Sequence, residues 1–222
     1  LGQGTPETVA NAGRKAREIR ERLADTPTVE ASLADLFVGV ECGGSDATSG
    51  VVSNPVTGEV VDTVVEAGGR AAFSETLEIL GAEDILADRA ASPDVAQEVR
   101  ELAASYTERL AEIGIDVNDS NPSPDNKRGG LTTIEEKSIG AVLKGGSTPL
   151  QGLLDYGEAP PSAAGLYFMD TPSPAQQSMT GLVAGGAQAA VPFVPQQTAA
   201  TPDMEVRPET LRFACGTDGP DT

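Results

Sequence analysis

Six consecutive residues, Glu41-Cys42-Gly43-Gly44-Ser45-Asp46, gather two carboxylates, a thiol, a hydroxyl and two glycines. Gly43 and Gly44 let the backbone turn tightly and approach a ligand, and the N–H groups of such a turn, with Ser45, can bind a carboxylate. Glu41, Cys42 and Asp46 can hold a metal or move a proton. Oxygen donors favour hard ions, and adding Cys42 shifts preference towards iron or zinc. Cys42 is equally suited to packing, because free cysteine is among the most buried residue types. Ser45 and Asp46 are equally suited to capping a helix that follows.

Three later segments carry similar chemistry. Asn54 lies in Ser53-Asn54-Pro55, and Glu75 ends the apolar run Arg70-Ala71-Ala72-Phe73-Ser74. Asn126, Lys127, Glu136 and Lys137 place an amide, two cations and a carboxylate around Gly129-Gly130, a set that suits a dianionic or polyhydroxylated substrate. Glu135 and Glu136 also suit a helix start on dipole grounds alone. Lys144 with Gly145-Gly146 only weakly resembles a phosphate cradle, since the spacing of a nucleotide loop is absent.

These groups need strands to deliver them. Leu36 to Val40 reads as a buried strand, Val60 to Ala67 as a helix closed by Gly68-Gly69, and Arg70 to Ser74 as a second strand, which makes a βαβ unit. Residues 77–88 and 93–113 read as helices, 120–130 as a loop, and Thr132 onward as a helix start. Gly165 to Asp170 reads as another strand, with Asp170 capping a helix that opens at Thr171-Pro172 and runs to Gly185-Gly186. At the N-terminus, Thr5-Pro6-Glu7 opens an amphipathic helix that reaches Thr26-Pro27, its charged residues forming a solvated face. Repeated strand and helix pairs predict an α/β fold: a mostly parallel, Rossmann-like sheet flanked by helices, with ligands at the carboxyl ends of the strands.

The 222 residues carry a net charge of -19, from 34 acidic against 15 basic side chains. That balance opposes binding to nucleic acid or to an anionic membrane surface. Evenly spread acid and only four lysines read as a salt-adapted, halophilic cytoplasmic surface. Two cysteines make no disulfide framework, no apolar run is long enough to span a bilayer, and no leader is recognisable. Histidine is absent altogether. Acid–base work therefore falls to carboxylates, lysine or the thiol, or to a metal.

In order and spacing, residues 30 to 188 closely resemble the C-terminal catalytic region of the altronate/galactarate dehydratase family, which includes a sulfolactate sulfo-lyase branch. The resemblance rests on Glu41 to Asp46, Ser53-Asn54-Pro55, Ser74-Glu75, Gly129 to Gly140, Lys144-Gly-Gly-Ser-Thr-Pro149 and Gly165 to Pro172. It implies a hydro-lyase that converts altronate or galactarate to a 2-keto-3-deoxy acid with a divalent metal: iron or manganese, with magnesium or calcium as further candidates. The expected metal ligands are Glu41 and Cys42, and the expected catalytic groups Glu75, Glu136 and Lys137. Gly43, Gly44, Ser45, Asp46, Asn54, Asn126 and Lys127 are the expected substrate contacts.

The resemblance also implies that a separate N-terminal-domain subunit completes the site and that the assembly is a homo-oligomer. With Leu1 in first position, the chain reads as an incomplete enzyme. The alternatives are a sulfo-lyase subunit, a partner-dependent subunit and an inactive remnant. Residues 1–188 are expected to form the catalytic domain and 189–222 a divergent, irregular tail, since prolines at 192, 195, 202, 208 and 220 interrupt every candidate element. Where the family has a Thr-Thr-Gly-Arg-Gly-Asn-Pro loop, this chain has Pro195-Gln196-Gln197. One choice of codons for that stretch, read two bases on, encodes Thr-Thr-Asp-Arg-Gly-Asn-Pro, which points to a frameshift before Pro195. Cys215 is then expected to be an unpaired thiol far from Cys42.

Overall fold

The computed structural model describes residues 5–24 and 29–193. Contacts divide the chain into two units, Leu1–Ala31 and Ser32–Thr222. The first unit holds helix α1, Thr5–Ala24, whose surface is laced by Arg14–Glu18 and Lys15–Glu18 ion pairs. The tail from residue 194 and Cys215 lie outside the described residues.

The second unit is built on five strands: β1 Phe37–Cys42, β2 Arg70–Ser74, β3 Leu150–Leu154, β4 Gly165–Met169 and β5 Ala189–Phe193. All pair in parallel, in the order β3-β4-β2-β1-β5. Strands β1 and β4 are apolar almost throughout, as expected of parallel strands covered on both faces. The helices are α2 Asn54–Glu66, α3 Glu83–Ala87, α4 Pro93–Glu112, α5 Val117–Ser120, α6 Pro124–Arg128, α7 Ile134–Ala141 and α8 Ala175–Ala184. On one face Val38, Val40, Ala71, Phe73 and Phe168 pack with Val61 and Val64 of α2, Leu86 of α3 and Val99 of α4. On the other face Phe37, Ala72, Tyr167 and Met169 pack with Leu182 of α8. The chain steps from β1 to β2 on one side and returns with β5 on the other, so the carboxyl end of β1 lies at the topological switch, where α/β sheets bind ligands.

Several elements depart from the sequence reading. Residues 77–88 do not form one helix: a 3-10 turn, Thr76–Ile79, precedes α3, and Gly81 between them has φ 79°. The loop over 120–130 contains α6, begun by a capping box in which Ser123 Oγ accepts the Asn126 N–H. Helix α2 starts at Asn54, six residues earlier than expected, continuing a π-helical turn over Ser49–Ser53. Strand β3 went unrecognised. Residues 189–193 belong to the sheet, not to a tail: β5 is an edge strand, the place where a sheet accommodates a proline such as Pro192.

The segment after α7 is held firmly. A Cβ on Gly58 would meet Leu143 O at 2.5 Å, so only glycine lets α2 approach the turn at Val142–Gly145. Asp62 of α2 accepts hydrogen bonds from the N–H and hydroxyl of both Ser147 and Thr148. Burial works against ionisation of Asp62, but these donors outweigh it and hold its pKa below the usual value.

Candidate active site

Strands β1 and β2 end side by side, and their last residues start the site. Cys42 N–H donates to Glu75 Oε2 at 2.9 Å, and Cys42 Sγ lies 3.0 Å from Ser45 Oγ. Glu75 has φ 78° and is the one non-glycine residue with positive φ among the described residues. A left-handed backbone at a glutamate costs about 1–2 kcal/mol, and such strain concentrates where a side chain must be aimed. The 3-10 turn that follows brings Glu78 back beside Glu75. Ligand atoms of Cys42, Glu75 and Glu78 all lie within 4.8 Å of one another.

Two lysines complete the group. Lys144 Nζ contacts Glu75 Oε2 at 2.7 Å and Glu78 Oε2 at 2.9 Å, and all three side chains are buried. Lys137 Nζ, from α7, contacts Glu78 Oε1 at 2.9 Å and donates to Asn121 Oδ1 at 2.8 Å. Burial opposes the charge on Glu78, but Lys144 and Lys137 outweigh it and hold the carboxyl far below its ordinary pKa. Burial, and then Glu78, push Glu75 well above its ordinary value. Both lysines are desolvated, yet their carboxylate neighbours dominate and raise their pKa values. Burial, reinforced by Glu78, pushes the Cys42 thiol up to about 12, so it stays protonated near neutrality.

Glu41 takes a different position. Consecutive strand residues point to opposite faces, so the pleat that turns Cys42 towards α2 turns Glu41 towards α8. There Ser74 Oγ donates to Glu41 Oε2 at 3.4 Å and lies 2.5 Å from Ser178 Oγ of α8. Glu41 Oε1 is buried with no hydrogen-bond partner, and burial raises its pKa to about 7. The expected Glu41 and Cys42 ligand pair is thus split across the sheet, and Glu78 takes the place beside Cys42.

A cavity of about 230 Å³ opens next to the cluster, lined by Ser45, Asp46, Ser49, Asn54, Glu136 and Lys137 among others. Asp46 Oδ1 accepts from Thr48 N–H and hydroxyl at 2.7 and 2.6 Å, which shapes the loop. Gly44, with φ 135°, supplies its turn, next to Gly43. Asn126 Nδ2 donates to Ser45 O and Asn54 Nδ2 to Gly140 O, both at 2.8 Å, so these two expected substrate contacts are braces between loops. Glu136 accepts from the Thr132 N–H and hydroxyl, a helix-start brace on the cavity rim. Lys127 is exposed and donates to Asn118 O, away from the cluster.

Sequence reasoning missed Glu78 and gave Lys144 too small a part. The available signal was Glu75-Thr76-Leu77-Glu78, two carboxylates three apart after a strand, in a chain with four lysines.

The family described as D-galactarate/altronate dehydratase, C-terminal, matches residues 33–194. The chain belongs to that family. It is 37% identical over 185 residues to the (2R)-sulfolactate sulfo-lyase subunit beta of Chromohalobacter salexigens, covering 82% of this chain and 47% of the relative. Identity to an altronate dehydratase of Bacillus subtilis is 32% over 212 residues, 90% of this chain and 42% of the relative. Identity to the galactarate dehydratase (L-threo-forming) of Escherichia coli is 35% over 162 residues, 73% and 30% respectively. The chain therefore spans less than half the length of each. Among the described residues no helix is long and apolar enough to cross a membrane.

Family membership makes the fit of a divalent ion worth testing on these residues. Cys42, Glu75 and Glu78 have the spacing of a metal centre. Three of the four carboxylate oxygens of Glu75 and Glu78, however, are committed: each oxygen of Glu78 is paired with an ammonium, and Glu75 Oε2 takes both Lys144 and the Cys42 N–H. As built, the cluster does not fit a divalent metal.

Proposed function

We propose that this chain supplies the catalytic half of a lyase that removes water from a sugar acid of the altronate or galactarate type, giving a 2-keto-3-deoxy acid. One observation carries the reading: Lys137, braced by Glu78 and Asn121, lines the same cavity as Ser45 and Asp46. A largely buried, held cation in an acidic chain suits an anionic substrate, and a cavity of about 230 Å³, below the usual size of ligand pockets, suits a small organic acid.

The elimination starts by removing a proton from the carbon next to the carboxylate. The electron pair left behind forms the C=C bond as the neighbouring hydroxyl departs, taking up a proton to leave as water, and the enol becomes the keto acid. Lys137 offsets the negative charge that builds on the substrate carboxylate. Glu75 is the proposed proton acceptor, because burial and the adjacent Glu78 raise its pKa above the ordinary carboxylate value and so make it a stronger base. The Cys42 thiol, protonated at neutral pH, serves as neither nucleophile nor base; its N–H holds Glu75.

The 37% identity to a sulfo-lyase subunit favours a second reading, in which sulfite leaves in place of hydroxide after the same proton removal. Completion of the site by a separate domain, and a homo-oligomeric assembly, belong to both readings. The test is keto-acid formation from altronate and galactarate, and sulfite release from (2R)-sulfolactate, by this chain combined with the remaining part of a family enzyme. In that assembly Lys137→Met is expected to lower kcat by at least about 100-fold, and Lys127→Met to leave it unchanged. Unchanged turnover in the Lys137 variant, or no product from any of the three acids, would sink the proposal.

A further inference from the structure

The spacing of Cys42, Glu75 and Glu78 and the occupation of their oxygens point in opposite directions. Three ligand atoms within 4.8 Å could surround one ion at metal–ligand distances of about 2.0–2.3 Å. In the folded chain an ammonium sits between Glu75 and Glu78, and its contacts, at 2.7 and 2.9 Å, are hydrogen-bonded ion pairs. A divalent ion bonded to the same oxygens at about 2.1 Å would lie within about 5 Å of Lys144 Nζ. At that separation in a buried site two cations repel strongly.

Lys144 is not a side chain that happens to reach in. Its backbone is fixed by the Gly58 contact, by Arg89 donating to Gly145 O at 3.1 Å, and by the four donor groups of Ser147 and Thr148 that Asp62 accepts from. Lys144 itself is 2% exposed. Lys137 holds the other oxygen of Glu78. Two carboxylates, Glu75 and Glu78, therefore face two ammonium groups, which leaves no net negative charge for a divalent ion to offset.

We propose that Lys144 is the resident cation of this cluster, holding Cys42, Glu75 and Glu78 in the arrangement of a metal centre while excluding divalent ions, and that removing its charge converts the cluster into a divalent-metal site. An ion used by the assembled enzyme is then carried by residues outside the cluster. This holds whichever acid is the substrate, and its test reads metal binding instead of turnover.

The 222-residue chain is titrated with Mn²⁺, followed by loss of the free-ion electron paramagnetic resonance signal, and with Co²⁺, followed by the sulfur-to-cobalt charge-transfer band. The unmodified chain is expected to show neither saturable Mn²⁺ binding at millimolar ion nor a thiolate band. Lys144→Met is expected to bind at least about 100-fold more tightly, the factor for removing a like charge at about 5 Å. It should also show a Co²⁺ band that is lost in Lys144→Met/Cys42→Ser. Lys144→Arg, which keeps the charge, should behave as the unmodified chain does.

Stoichiometric binding by the unmodified chain that is lost in Cys42→Ser or Glu78→Gln would overturn the proposal. So would a folded Lys144→Met chain that binds no better than the unmodified one, or a Lys144→Met chain that is unfolded and that neither ion restores.

Discussion

Glu78→Gln is expected to destabilise the chain by about 3–5 kcal/mol at pH 7, the scale for removing one partner from a buried ion-pair group. Both oxygens of Glu78 are paired with lysines, and all three side chains are largely withdrawn from water. An amide of the same shape leaves Lys144 with Glu75 alone and Lys137 with Asn121. The pH dependence follows from the direction of the shift. The folded-state pKa of Glu78 is depressed, so its contribution is fully present above its unfolded value of 4.5 and is lost as pH falls through the folded value. The gap between the unmodified and variant chains, read from urea denaturation, should be constant near neutrality and narrow in acid below pH 4.5. A variant as stable as the unmodified chain at pH 7 would show that the two lysines do not depend on Glu78.

Glu41→Gln should act in the opposite direction and stabilise. Glu41 is 0% exposed, its Oε1 lacks a partner, and its pKa rises from 4.5 to about 7. A carboxyl whose folded pKa is raised favours the protonated form, so folding carries no penalty below pH 4.5. The penalty grows as pH rises towards 7 and is complete above it. The shift corresponds to about 3 kcal/mol, which the neutral amide removes. At pH 8 the thermal midpoint should rise by about 6–12 °C, while at pH 4 the two chains should melt together. A rise of equal size at both pH values would point to packing instead of charge.

These two carboxylates mark what could and could not be read from the amino-acid order. Strands β1, β2 and β4 were legible because parallel strands buried on both faces are short apolar runs, and the βαβ connection followed from them. Strand β3, Leu150-Gln151-Gly152-Leu153-Leu154, was not: it is an edge strand broken by glutamine and glycine. The helix expected over 77–88 failed at Gly81, where a positive φ interrupts it. In the site, Cys42, Glu75 and Lys137 were legible as strand-end or helix-start residues of reactive type, and the structure gathers them. That Glu41 and Cys42 diverge followed from the alternation of a strand, a constraint that outweighed their adjacency. Glu78 and Lys144 lie 66 positions apart and meet only because β2 and the turn after α7 end at the same place, which no local pattern encodes.

The left-handed backbone at Glu75 bears on how this position can vary. Glycine, which adopts that conformation without cost, would relax the chain locally and yet delete the carboxylate that Lys144 and Cys42 hold. Asparagine and aspartate tolerate the conformation better than glutamate does, but their shorter side chains fall one methylene short. The residue best tolerated by the fold and the residue able to reach the lysine are therefore different. A library selected at this position for solubility and expression alone would drift away from the protein's chemistry while appearing to improve it.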